Sequence, residues 1–421
     1  MNHKLKKINF CKSCLYSDLH PLGITINDNG ICSGCLIHEE KNKLNWSERF
    51  NLLKKIIKDY KSKNKNNYDC VIPVTGSQDS YYTVHLAVNK LGLKPLLVSY
   101  NKYFNTPLGI RNLSNLRIKF DCDILFQNIN PISVKKIIKY TLSEMGNFYW
   151  PILAGHTVLP VQIATKYKIP LIIWGAHQGL EQVGMFSHKD NVEMTRRYRE
   201  DHDLFGFEAD KLLKFDNNLK EEDVWQYHYP DDYTLNSLGV RGIYLGNFFR
   251  WDPLSQHIDM TKMFNYKSSK FARTFDVYDN VDCFNYMNLH DYLKLCKYGY
   301  SKVTDHATRE IRHGRITREQ GIKLVKKFEL EDPQYVNLFC EWLGMDMNSL
   351  NFIIKKFKNK RFWEETDTNK WNFKGLSSII EVSENTSNKL NKIDELFNAN
   401  SSLEHNLSAS YVTFGKGYDG E

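Results

Sequence analysis

At 421 residues, 42% hydrophobic and 25% charged, the chain is long enough for two or three domains with ample core, which excludes a disordered or low-complexity class. No stretch approaches the roughly 18 apolar residues of a membrane span, and MNHKLKKINFCKSC lacks an apolar core of signal-peptide length, so a cytoplasmic protein is expected, its nine cysteines being thiols or metal ligands rather than disulfides. Lys and Arg exceed Asp and Glu by 57 − 49 = 8, an excess that a solvated lysine-rich surface explains without nucleic acid or membrane.

Residues 10–38, FCKSCLYSDLHPLGITINDNGICSGCLIH, carry two Cys-x-x-Cys knuckles, Cys11/Cys14 and Cys32/Cys35, with 17 residues between them. That spacing suits a tetrahedral four-thiolate Zn2+ site, structural because no coordination position is left open. Four unrelated buried cysteines are the plain alternative. Asn27 to Gly30 reads as a hairpin turn, and Gly34 as the residue that takes the tight conformation of the second knuckle. Residues 1–45 are read as a zinc-knuckle module.

A helix is expected over 46–60, where Phe50, Leu53, Ile56, Ile57 and Tyr60 form one face and Ser47 caps the start. A polar linker, 61–67, follows. Cys70 to Val74 is an apolar run, Thr75-Gly76-Ser77-Gln78-Asp79-Ser80 a polar turn, and Val84, Ala87, Val88 and Leu91 have helical spacing up to Gly92. With the apolar run Pro95 to Val98 this makes a βαβ unit and a parallel sheet. Further on come a helix opened by Thr106-Pro107, a strand at 122–126, helices at 131–145 and 152–167, and a buried strand at 170–174. The fold class expected is therefore α/β, a doubly wound parallel sheet over 46–260, with ligands at the carboxyl ends of the strands. Residues 75–80, 98–101 and 174–178 then line one crevice.

Residues 184–208, GMFSHKDNVEMTRRYREDHDLFGFE, read most simply as a solvated charged helix. A short strand is expected between Gly239 and Gly246. Within KYGYSKVTDHATREIRHGRITREQ, Asp305, His306, Arg309, Arg312, His313 and Arg315 crowd together, with a capping box from Thr317 to Gln320. Clustered arginines suit phosphate or carboxylate; an Asp305–His306 metal pair lacks a third ligand at a metal-like spacing. Residues 261–374 are read as mainly helical and 375–421 as a tail or partner-binding extension.

A polar turn from a buried strand into a helix presents backbone N–H groups and the positive end of a dipole, a setting for phosphate. The TGSQDS turn is neither a Walker loop nor a dinucleotide fingerprint. It resembles the pyrophosphate loop (PP-loop) of the ATP pyrophosphatase superfamily, usually Ser-Gly-Gly-x-Asp-Ser, with Thr75 and Ser77 as departures. If the position of Ser77 requires positive φ, its β-carbon costs about 1 kcal/mol.

Taken together, the four-cysteine knuckle, TGSQDS, EMTRRYREDHDLFGFE, GVRGIYLGNFFRWDP and KYGYSKVTDHATREIRHGRITREQ resemble the bacterial N-acetyl sugar amidotransferase family over roughly residues 10 to 345. The resemblance implies an ATP-dependent, AMP-forming amidotransferase of surface polysaccharide (O-antigen of lipopolysaccharide) or flagellin glycan biosynthesis, turning an acetamido sugar into an acetamidino sugar. It implies ATP, Mg2+ and structural Zn2+, an N-acetyl sugar that is nucleotide-linked or a nonulosonic acid, and ammonia from glutaminase and cyclase-like subunits. Thr75, Gly76, Ser77, Gln78, Asp79 and Ser80 would hold the nucleotide's phosphates, with Tyr100, Trp174 and Gly175 bordering its pocket. Asp79, Ser80, Lys302 and Arg312 would be catalytic, and Arg309, Arg315 and His306 would meet substrate or phosphate. Two other readings stay open: a tRNA thiolation enzyme of the same superfamily, and a degenerate scaffold without turnover.

Overall fold

Five short strands, β1 (Cys70–Pro73), β2 (Pro95–Tyr100), β3 (Ile124–Gln127), β4 (Leu171–Trp174) and β5 (Arg241–Tyr244), form one sheet in the order β3-β2-β1-β4-β5, every pair parallel. The structure, a computed structural model, describes residues 8–62, 66–215, 218–367, 370–379 and 391–402. Part of the expected linker and the end of the tail lie outside them.

Alternation along the strands builds two cores. Ile72, Leu97, Ile173 and Ile243 face one side of the sheet, while Val71, Leu96, Val98 and Ile172 face the other. Both faces are buried, which is why these strands read as continuous apolar runs. The first core gathers α2 (Trp46–Tyr60), α3 (Gln78–His85) and α4 (Pro107–Lys119), together with Val303, Ala307 and Ile322 from far down the chain. The second gathers α5 (Pro131–Met145), α6 (Trp150–Tyr167) and Phe339, Leu343 and Leu350.

Local chemistry explains the element ends. Asn45, not Ser47, caps α2, its side chain accepting from the N–H groups of Ser47 and Glu48. Thr106 caps α4 through Gly109 N–H, with Pro107 in the first turn. Gly92 has φ +62, ending the helical run that continues α3. The box predicted at Thr317 and Gln320 is present.

Two stretches differ from the sequence reading. Residues 184–208 form no single solvated helix; they break into short turns because Arg199, only 4% exposed, turns inward to share Glu208 with Arg196. Within the mainly helical region, β6 (Trp363–Asp367) and β7 (Lys370–Phe373) make an antiparallel hairpin, whose Trp363 and Phe373 pack 4.8 Å apart. No described helix is long and apolar enough to cross a membrane.

Candidate functional site

The four knuckle cysteines converge. Cys11, Cys14, Cys32 and Cys35 are all buried, their sulfurs within 4.8 Å of one another, and the Cys14 and Cys32 sulfurs are 3.5 Å apart. Tetrahedral thiolates at the Zn–S length of about 2.3 Å stand roughly 3.8 Å apart, so the set fits zinc. Gly34 earns its place differently from the expectation. It lies in α1 (Ser33–Glu40) with no positive φ, and a β-carbon there would fall 2.2 Å from Arg312 Nη2 and 2.5 Å from the Gln182 carbonyl. The turn between the knuckles closes as a hairpin, with Gly30 at φ +81 donating to Asn27.

The polar turn leaves β1 at the centre of the sheet, beside β4, where the strand order changes direction. Ser77 sits at φ −86 and ψ 163, extended backbone open to any residue, so the departure from glycine carries no strain. Gly76 is the constrained position: a β-carbon would lie 2.3 Å from the Gly109 carbonyl oxygen. The loop is tied internally, Thr75 N–H donating to Ser80 Oγ at 2.8 Å, Thr75 Oγ1 to Ser77 Oγ at 2.8 Å and Ser77 N–H to Thr75 Oγ1 at 3.1 Å. Gln78, Asp79 and Ser80 occupy the first turn of α3, where N–H groups have no intrahelical acceptor.

A cavity of about 220 Å³ opens over this loop, walled by Thr75, Ser77, Asp79, Ser80, Tyr100, Trp174 and Gly175. The expected crevice therefore forms, with His156, Leu159 and Pro160 of α6 as a wall the sequence did not announce. Gln78 turns away, 2% exposed. Tyr100 is held by a 2.7 Å hydrogen bond between its hydroxyl and that of Tyr227. A second cavity, about 320 Å³, shares Asp79 and Ala176 with the first and is lined by Lys302, Asp279, Asp305, His306, Arg309 and Arg312. Asp79 thus stands at the junction of the two cavities, one over the polar loop and one rich in cations.

Asp79 opens on the cleft, yet the packed cleft walls, then Asp279, Asp276 and Glu181, push its carboxyl up to about 7, with Arg309 opposing. Burial also acts to raise Asp279, but its 3.1 Å contact with His306 Nε2, with Lys302 and Arg309 nearby, holds it well below the usual carboxylate range. Two carboxyls facing one cleft are thereby driven apart, one kept ionised and one titrating near neutrality. Lys302, its Nζ 4.0 Å from Asp279, 3.9 Å from Asp305 and 5.0 Å from the Tyr286 ring, loses to burial but gains more from those groups and stays charged.

Not every cation of the cluster faces the cleft freely. Arg312 donates to the carbonyls of Glu181 and Gln182, at 3.2 and 2.7 Å, and lies 3.6 Å from Cys32 Sγ, so it buttresses the knuckle. Arg315 is spent on Asp252 and Glu310 and does not line the cavity. Arg309 lines it but is anchored by Asp276 and Glu310, both at 2.6 Å. His306 is held between Thr274 Oγ1 and Asp279, whereas Asp305 pairs with Lys294 and Tyr16, so these two neighbours make no metal pair. Among the described residues the four cysteines are the one set of three or more His, Cys, Asp or Glu side chains close enough together to hold a metal.

Sequence reading missed four residues that support the loop and the cation cluster, Asp282, Lys102, Asp276 and Asp279. Asp282 Oδ2 accepts the Gly76 N–H at 3.2 Å and the buried Lys102 ammonium at 2.5 Å, while Asp276 and Asp279 anchor the cations. No spacing signals a partner 206 positions away.

Residues 266–377 match the family model WbpG_C, described as LPS biosynthesis protein WbpG-like, C-terminal domain. No curated protein matches the chain. Among solved structures, an NH3-dependent NAD synthetase from Campylobacter jejuni subsp. jejuni NCTC 11168, in complex with the nitrate ion, is similar at 15% identity, covering 46% of this chain and 92% of that one with a TM-score of 0.26. An NMN synthetase from Francisella tularensis is similar at 16% identity, covering 52% and 96%, with a TM-score of 0.25. Likenesses this distant carry no weight for function.

Proposed function

We propose that the chain is an ATP-dependent, AMP-forming amidotransferase acting on an N-acetyl sugar, a reading supported by the match of residues 266–377 to the model of the WbpG-like C-terminal domain of LPS biosynthesis proteins. The observation that carries this reading is the shared position of Asp79: one side faces the polar loop of the sheet, the other a cleft walled by the WbpG-like domain. An enzyme joining ATP to a second substrate needs two spaces meeting at one reacting point.

An amide oxygen is a poor leaving group, so it is activated first. In the proposed reaction the acetamido oxygen attacks the α-phosphorus of ATP and pyrophosphate leaves. Ammonia then adds to the activated carbon, AMP departs with the oxygen, and loss of a proton leaves an acetamidino group. The first-turn N–H groups of Gln78, Asp79 and Ser80, the Ser80 and Thr75 hydroxyls and the dipole of α3 supply fixed donors where pyrophosphate charge develops. Ionised Asp79 would hold Mg2+, which neutralises phosphate charge and takes one or two carboxylates. Lys302 is the charged group best placed to meet phosphate or sugar across the second cavity, with Arg309 behind it. Zinc on the four thiolates would fix the knuckle and, through Arg312, the wall formed by 181–182.

The thiolation alternative wants an exposed reactive thiol. Cys70 is fully buried in β1 and burial raises Cys122 to about 11, so neither suits it. A scaffold without turnover predicts no ATP binding. The test is AMP and pyrophosphate release from ATP with ammonium chloride and a panel of nucleotide-linked N-acetyl sugars and CMP-linked nonulosonic acids. Substrate-dependent AMP and a product about one mass unit lighter, oxygen replaced by NH, are expected. Asp79→Asn should abolish turnover with zinc content and melting temperature unchanged; retained turnover overturns the assignment.

A further inference from the structure

A further cavity, about 420 Å³, shares no lining residue with the two already described. Rings from Tyr140, Phe205, Phe207 and Tyr298 wall it, and Lys297, on helix Asp291–Tyr298, is the cation of its lining. Phe205, still 39% exposed, is held at φ +56, a left-handed conformation that an aromatic residue adopts only under constraint.

The setting is unusual for an ammonium. Lys297 Nζ donates to the Met145 carbonyl at 3.2 Å and stands 5.2 Å from the Tyr298 ring and 5.8 Å from that of Phe205. Among the described residues no carboxylate pairs with it, and burial lowers it from 10.5 to about 8, with only the Cys296 thiol opposing. Glu144 of α5, the one acid of the lining, is exposed to solvent, and burial raises the Tyr298 phenol, which stays neutral. A charge buried without a counter-ion is costly, and an amine relieves that cost by giving up its proton. The neutral amine still donates one N–H to Met145 and keeps its lone pair for the cavity. Asn147 adds a second polar group: its Oδ1 accepts the Tyr149 N–H at 2.8 Å, which leaves Nδ2, a pure donor, buried without a partner. A nucleophile and a spare donor in one aromatic-walled space suit a carbonyl group, lone pair to carbon and donor to oxygen.

We propose that Lys297 is a nucleophilic amine that captures an aromatic aldehyde as an imine, the ring of the aldehyde resting among Phe205, Phe207 and Tyr298. The Nζ lone pair attacks the carbonyl carbon, and the oxygen, met by Asn147 Nδ2, takes the proton that Nζ sheds. The carbinolamine then loses its hydroxyl and the remaining Nζ proton as water, and the C=N bond forms. Neither ATP nor an N-acetyl sugar enters the step, so it stands apart from the function proposed above.

The test is borohydride trapping on the full chain with substoichiometric benzaldehyde from pH 6 to 9.5, followed by peptide mass mapping. At pH 7.5 about a quarter of Lys297 is free amine, against about a thousandth of an ordinary lysine, so it should be labelled at least tenfold faster than the mean of the other lysines. Its labelling should level off above about pH 8 while theirs climbs on. Propanal, with no ring to place, should show at least fivefold less preference for Lys297. Phe205→Leu should move the benzaldehyde preference toward that of propanal; the wild-type measurements decide alone if that variant unfolds. Labelling of Lys297 no faster than the mean, equal preference with propanal, a profile still rising at pH 9.5, or undiminished preference in folded Phe205→Leu each overturn the site.

Discussion

Single residues in the polar loop make opposite predictions from their backbones. Gly76 faces the Gly109 carbonyl with no room for a β-carbon, so Gly76→Ala should abolish ATP binding and lower the melting temperature, whereas a normal melting curve would contradict the close approach. Ser77 is extended, so Ser77→Gly should leave turnover within about twofold and cost at most about 1 kcal/mol of stability through chain entropy, measured by urea unfolding. Glu329, 1% exposed, is raised from the ordinary 4.5 to about 8 by burial, with Arg273 and Lys326 opposing. A raised acid binds more protons folded than unfolded, so its stabilisation is present at low pH and lost as pH rises from about 4.5 through 8, with a slope of at most about 1.4 kcal/mol per pH unit. Glu329→Gln should flatten the stability profile over that window; an unchanged slope would show that the carboxyl is not held protonated.

At the scale of elements, helix Lys302–Arg312 does two jobs with opposite ends. Lys302 and His306 look into the cleft while Arg312 grips 181–182 and the knuckle. Arg312→Gln should therefore speed zinc loss to a chelator more than it lowers catalysis, and Cys32→Ser should cost zinc first and activity second. A zinc-free Cys32→Ser protein with full activity would refute the structural assignment. This helix also marks how far sequence reaches. Periodicity placed the strands and α5 because parallel strands are apolar throughout and a helix face repeats along the chain, and knuckle spacing placed the four cysteines. What was illegible is pairing across the fold: which of the clustered arginines faces space and which is neutralised depends on Asp252, Asp276 and Glu181, residues far from the cluster in sequence or unremarkable beside it. The cap of α2 was misplaced for a smaller reason, since Asn45 and Ser47 are both good caps and only geometry chooses.

Across the whole molecule the cores do not respect the module boundaries read from sequence. One core joins Leu15 and Leu53 to Val303, Ile322 and Phe397; the other joins Ile172 to Phe339 and Leu350. The full chain should unfold in one calorimetric transition, and a fragment ending at residue 265 should aggregate, having lost one wall of each core. Two resolved transitions would restore independent modules. The hydrogen bond from Gly76 to Asp282 adds a consequence in time. Residues 70–100 leave the ribosome about two hundred residues before Asp282 is made, so strand, turn and helix exist as sequence long before the turn has the carboxylate and buried lysine that fix it. The turn is completed last, and on the proposed function a chain still under synthesis has no finished place to spend ATP.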